Sequence, residues 1–161
     1  MNEWYWLVAL VAACFGIGAI LGAPYLPIRK ADTEAALDLA GVKAGQTIID
    51  LGSGDGRLLL AAAKRGATAI GYEINPILYT WSLIVCWRQR RRITIHLGDY
   101  WRVRLPVADV IYVFLITRYM PKLDTKLSIE LHQPTTVVSY VFELPRKPIK
   151  KSDNTYVYRY P

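Results

Sequence analysis

Ile48-Ile49-Asp50-Leu51-Gly52-Ser53-Gly54-Asp55-Gly56-Arg57 is the stretch whose reading decides the fold. Ile48, Ile49 and Leu51 read as a short apolar strand, with Asp50 near its carboxyl end. Glycines recur at 52, 54 and 56, and the run LLLAAAKR that follows reads as a helix. Glycine permits a tight turn and lets a ligand approach the backbone where a side chain would block it. Strand, glycine turn and helix together are the mark of a nucleotide site at the carboxyl end of a parallel sheet.

Spacing and charge then narrow the nucleotide. A dinucleotide fingerprint, G-x-G-x-x-G, counted from Gly52 needs glycine at 57, where the chain has Arg57. Asp50 and Asp55 flank the turn and would repel a pyrophosphate. The same carboxylates suit S-adenosylmethionine, which has no phosphate but carries an ammonium and a sulfonium. In AIGYEINP a second strand ends in Glu73, an acid able to accept both ribose hydroxyls. A third strand, ITIHL, ends in Gly98-Asp99-Tyr100-Trp101, where an Asp can meet the adenine amino group and a ring can stack on the base. The expected cofactor is therefore S-adenosyl-L-methionine, bound by Asp50, Gly52, Ser53, Gly54, Gly56, Glu73, Asn75, Asp99 and Tyr100.

The segments DLGSGDGR, AAAKRGA, GYEINP and HLGDYW, in this order, resemble those of class I, seven-strand S-adenosylmethionine-dependent methyltransferases. Within that class the chain is similar to the small membrane-anchored protein-lysine methyltransferases that act on the ATP synthase c subunit and the adenine nucleotide translocase, and to their prokaryotic relatives. The likeness runs from about Pro24 to Tyr160, with a departure at Ile28, where the family tends to carry Thr. It implies an α/β, Rossmann-like fold: a mostly parallel twisted sheet, helices on both faces and an antiparallel last strand. It also implies a lysine N-methyltransferase whose substrate is a membrane protein. The alternatives are an RNA or small-molecule methyltransferase, or a membrane-anchored module that binds S-adenosylmethionine without catalysis.

At 161 residues the chain has room for one core. Its net charge is +7, and the first 28 residues carry only Glu3, so the basic excess lies beyond them and calls for an anionic neighbour. Cys14 and Cys86, in apolar surroundings, suggest no disulfide and a reducing compartment. Trp4 to Leu21 has no charge and as a helix would rise roughly 27 Å, near the thickness of a bilayer core. Residues 1–23 are therefore expected to be a transmembrane anchor and 24–161 the methyltransferase domain. Arg29 and Lys30 after the span put that domain in the cytoplasm, on an inner membrane if bacterial and on the mitochondrial inner membrane if eukaryotic.

Further along, Asp32 reads as the N-cap of a first helix, and Asn75-Pro76 opens another that runs to about Trp87. The ten or so residues between ITIHL and DVIYVFL are too few for an ordinary crossover helix. Met120 to His132 reads as a helix, TTVVSYVF as the fifth strand, Lys150 to Asn154 as a polar turn and TYVYRY as an antiparallel last strand. Trp81 and Trp87 are expected to be packing residues. Arg88, Arg90, Arg91 and Arg92 are candidates for anionic headgroups, with Arg146, Lys147, Lys150 and Lys151 extending the same surface. His96 and His132 have no metal-ligand spacing, no metal is expected, and no nucleic acid is expected as a partner. After the fourth strand, FLITRYM lacks the Asp/Asn-Pro-Pro turn that grips planar amines, which disfavours nucleobase and glutamine acceptors. Tyr25, Thr117 and Tyr119 remain as candidates for orienting an acceptor amine.

Overall fold

Apolar residues on successive positions of the central strands send side chains to opposite faces, so the sheet must be covered on both. In the computed structural model, which describes residues 4–6, 8–9 and 27–161, that is the arrangement found. Ile48, Val110, Val138 and Val157 join one cluster, and Ile49, Ile111, Val137 and Tyr158 the other.

The elements in chain order are α1 (Lys30–Ala40), β1 (Thr47–Leu51), α2 (Arg57–Lys64), β2 (Thr68–Glu73) and α3 (Pro76–Cys86), which runs into a 3-10 turn, Trp87–Gln89. Then come β3 (Ile93–Leu97), β4 (Val110–Val113), a second 3-10 turn (Thr117–Tyr119), α4 (Met120–Glu130), β5 (Thr135–Tyr140), β6 (Lys150–Ser152) and β7 (Thr155–Tyr160). The strand order is β3-β2-β1-β4-β5-β7-β6. β1 to β5 pair in parallel, while β7 is antiparallel to β5 and to β6. This is the mixed, Rossmann-like sheet expected from the sequence.

One face packs against Ala36 and Leu37 of α1, Leu58, Leu59 and Ala62 of α2, and Cys86 of α3. Across the sheet, Met120, Leu123 and Leu127 of α4 fill the second cluster beside Tyr100 and Leu105. Residues 98–109 contain no helix, as their small number requires. The chain order 3-2-1-4-5 reverses between β1 and β4, and such a switch point opens a crevice beyond the strand ends.

Several expectations need correction. Arg29, not Asp32, is the N-cap of α1; Asp32 lies in the first turn, where its carboxylate accepts a bond from the Tyr140 hydroxyl. Lys150–Ser152 is a short edge strand rather than part of a turn, because it pairs with Thr155–Val157. That pairing puts Lys150 and Lys151 at the β6 edge of the sheet, opposite the β3 edge that Arg88–Arg92 precede, so the two basic groups do not form one surface. Arg146 instead pairs with Asp124 at 2.6 Å. Trp81 and Trp87 are exposed, 56% and 62%, and pack into neither cluster. The expected span from Trp4 to Leu21 lies mostly outside the described residues, as do Cys14 and Tyr25; among the described residues no helix is long and apolar enough to cross a membrane.

Candidate functional site

At the carboxyl end of β1 the chain turns through Gly52, Gly54 and Gly56, all at positive φ. Gly52 N–H and Ser53 N–H both donate to the Tyr72 carbonyl, at 2.9 and 3.0 Å, which pins the turn to β2. Gly56, at φ +79°, also has to be small: a Cβ there would sit 2.8 Å from Cys86 Sγ and 3.2 Å from Ser82 Cβ. The glycine turn and α3 are thus fitted to one another.

Glu73, buried at the end of β2, ties the rim together. Its Oε2 accepts from Gly54 N–H at 2.7 Å and its Oε1 from Asn75 N–H at 2.8 Å. The Glu73 carbonyl accepts from Gly98 N–H at 2.8 Å, which brings the loop after β3 alongside. Burial raises the Glu73 pKa, and the backbone N–H groups of Asn75, Gly54 and Ile74 pull it back. Asn75 then opens α3, its Oδ1 accepting from Ile77 N–H at 2.9 Å and Leu78 N–H at 3.3 Å.

Asp50 is buried, and its pKa is pushed up to about 8, first by desolvation and then by the neighbouring charges of Glu73 and Asp55. It is the register partner of Tyr112 on β4, across the switch point. The Tyr112 hydroxyl is buried with no hydrogen-bond partner, and so is Ser53 Oγ. An orphan buried hydroxyl beside a carboxylate starved of positive charge marks a place where a polar, cationic group fits. Asp55 differs: Arg57 binds it at 2.6 Å and donates to the Ile28 carbonyl, so its charge is answered within the protein. Of the two aspartates taken from the sequence as repelling a pyrophosphate, Asp55 is paired with Arg57, and Asp50 is pushed towards its neutral acid.

The third strand end follows the same rim. Asp99 Oδ1 accepts from Trp101 N–H at 2.9 Å, and its Oδ2 lies 3.4 Å from Arg102 Nε. Tyr100 is buried, and burial raises its pKa, followed by Asp99, Tyr119 and Glu73. The fold therefore gathers Asp50, the glycine turn with Ser53, Glu73, Asn75, Asp99 and Tyr100 along three adjacent strand ends. Of the acceptor candidates, Tyr119 comes up to this rim as a neighbour of Tyr100. Thr117 is exposed at the head of its 3-10 turn, and Tyr119 packs its ring 6.3 Å from Trp101. Tyr25 lies outside the described residues.

Sequence reasoning missed a second feature. A recess of about 390 Å³ is lined by Pro27, Ile28, Arg29, Asp32, Phe114, Tyr140 and Asn154. Its Asp32–Tyr140 bond, 2.9 Å, joins residues 108 apart in the chain. Val141, just past the end of β5, is β-branched yet sits at φ +70°, a strained conformation that Val141 N–H to Asn154 O at 2.6 Å helps to hold. The only local signal was an acid in a first helical turn, which reads as a cap.

Known methyltransferases resemble the chain in sequence and in fold. The sequence profile of the family described as ANTKMT methyltransferase domain matches residues 50–151. A Xenopus laevis lysine N-methyltransferase of the ATP synthase c subunit is 34% identical over 76% of this chain, which spans about half (54%) of that protein's length. A protein-lysine N-methyltransferase of Saccharolobus islandicus is 34% identical over 85% of this chain and 92% of its own length. Among solved structures, an RNA methyltransferase from Salinibacter ruber in complex with S-adenosyl-L-homocysteine superposes with a TM-score of 0.78 at 30% identity, covering 84% of this chain and 92% of the other.

Proposed function

The chain belongs to the ANTKMT methyltransferase domain family, and from that premise we propose that it transfers the methyl group of S-adenosylmethionine to a lysine of a membrane protein. The observation that carries the reading is Glu73, whose two carboxylate oxygens hold the glycine turn and the head of α3 beside a buried, charge-starved Asp50. In this reading Asp50, Gly52, Ser53, Gly54 and Gly56 take the methionine part, Glu73 and Asn75 the ribose, and Asp99 and Tyr100 the adenine. Each Glu73 oxygen has a lone pair beyond the one its backbone donor uses, so the carboxylate can still accept from hydroxyls. When bound, the cofactor supplies a methyl carried on a sulfonium and open to in-line displacement.

The chain's own work is alignment and exclusion of water. In the recess, Asp32 offers a carboxylate to an ammonium, and Phe114 and Tyr140 offer ring surface to an aliphatic chain. The carboxylate is a docking charge and opposes deprotonation. Loss of the proton from a group of pKa about 10.4 has to follow further in, where apolar walls and positive charge favour the neutral amine. Residues 1–23 are proposed as the anchor and 24–161 as the catalytic domain. A linker of about eight residues, at roughly 3.3 Å each, then keeps the domain within about 26 Å of the bilayer and raises the effective concentration of membrane substrates.

A second reading, methylation of RNA, is favoured by the description of the Salinibacter ruber protein. FLITRYM after β4, without an amine-gripping turn, weighs against nucleobase amines. The test is the destination of label when the full chain meets methyl-labelled cofactor and a membrane extract. Label recovered as methyl-lysine in membrane proteins is expected. Label found only in RNA, or none with a folded protein, contradicts the proposal.

A further inference from the structure

The helix α3 is inverted. Its inward face consists of Leu78, Ser82 and Cys86, two of them small, while Ile77, Trp81, Leu83, Ile84, Val85 and, just beyond, Trp87 are exposed. At 100° per residue the exposed positions form one broad outer face, broken only by Thr80. A soluble helix places its polar residues there.

The charge that follows is one-signed. From Ile74 to Gly98 the chain has no Asp or Glu, yet it carries Arg88, Arg90, Arg91 and Arg92. Arg88, Arg90 and Arg91 are exposed, directly behind the apolar face. Arg90 stacks its guanidinium 4.5 Å from the Trp87 ring, so the charge and the aromatic edge form one unit. Arg92 is partly engaged, donating to the Gly66 carbonyl at 3.0 Å.

We propose that the outer face of α3, with Arg88, Arg90 and Arg91, docks onto an anionic bilayer, Trp81, Ile84 and Trp87 entering the headgroup boundary while the arginines meet lipid phosphates. Apolar rings on one side and cations beside them are the composition of a helix that lies in the interface. A protein partner would require complementary acids as well as apolar area, whereas an anionic leaflet supplies both over any length of helix. Eleven residues give a helix about 16 Å long. As the crossover between the parallel strands β2 and β3, α3 runs back along the edge of the sheet. Lying flat, it turns the strands parallel to the membrane, so that the Glu73–Asn75 rim at its head opens along the bilayer surface.

This inference does not rest on methyl transfer, and its test uses lipid contact alone. The chain has five tryptophans. A full-length variant with Trp4→Phe, Trp6→Phe and Trp101→Phe leaves Trp81 and Trp87 as reporters. It is mixed with phosphatidylcholine vesicles, with and without phosphatidylglycerol, whose acyl chains carry bromine near the headgroup. Quenching of Trp81 and Trp87 is expected in the anionic vesicles. With all of the chain bound to anionic vesicles, the ratio of quenched to unquenched reporter should fall about fivefold for each of Arg88→Gln, Arg90→Gln and Arg91→Gln. Unquenched emission overturns the proposal, because the face then stands off the bilayer. Blue-shifted emission without quenching overturns it equally, by assigning the face to protein. Quenching that is indifferent to phosphatidylglycerol and to the arginines overturns the docking charge.

Discussion

Two helices leave the carboxyl ends of neighbouring strands, and they are built inside out with respect to each other. α2 buries Leu58, Leu59, Ala61, Ala62 and Ala63 and turns Lys64 to water. α3 buries Ser82 and Cys86 and turns Trp81 and Ile84 to water. α2 is held by burial, the ordinary source of helix stability in a fold. α3 is held by its cap at Asn75, by close contact with Gly56 and by Leu78 and Cys86, and its outward apolar side chains contribute little to the fold. What differs is the destination of the apolar surface: inward in α2, and outward in α3, on the face proposed to meet the bilayer.

Breaking the α2 side should cost most. Leu59, fully buried, truncated by Leu59→Ala should lose about 2–5 kcal/mol of stability in urea denaturation. Next comes the junction. Gly56→Ala forces a side chain into the left-handed region and against Cys86 and Ser82, and should cost roughly 2–4 kcal/mol, from backbone strain and overpacking together. Cofactor affinity should fall with it in calorimetry, since the same turn lines the proposed cofactor cleft. On the α3 side, Ile84→Ser should leave urea stability within about 0.5 kcal/mol of the parent, because Ile84 is 65% exposed. A loss comparable to that of Leu59→Ala would show that the outer face is packed after all.

The buried carboxylate between the two helices gives a pH signature. Asp50 titrates near 3.9 when unfolded and near 8 when folded, so the folded chain takes up a proton between those values. Stability therefore falls as pH rises through that window. A cation bound beside Asp50 expels the proton, so affinity for a cationic ligand should rise with pH up to about 8. Calorimetry at pH 7 in buffers of different ionisation heat should report release of about one proton on cofactor binding. Asp50→Asn should remove that release.

Much of the rim was legible in the sequence because it is strand-end chemistry. Asp50, Glu73 and Asp99 each close a short apolar strand, and the sheet order sets those strands side by side. The Asp32–Tyr140 pair was not legible: its partners lie 108 residues apart, and an acid in a first turn is explained locally by the helix dipole. The outward face of α3 was hidden for another reason. In PILYTWSLIVCW an apolar run continues around the helix, so periodicity gives no direction, and Trp81 reads as core. The usable signal was the pair Ser82 and Cys86, four apart and small, matched to a glycine turn. Lys150–Ser152 was missed because a short, charged edge strand has no hydrophobic alternation to betray it.

The central claim, that three strand ends held by Glu73 form the cofactor cleft, is tested most directly by titrating S-adenosylmethionine into the wild-type protein and Glu73→Ala. The wild type should bind, and a Glu73→Ala protein that keeps its fold by circular dichroism should bind about 30-fold more weakly, roughly 2 kcal/mol for two hydrogen bonds to a charged acceptor. Equal affinity in the two folded proteins would contradict the account.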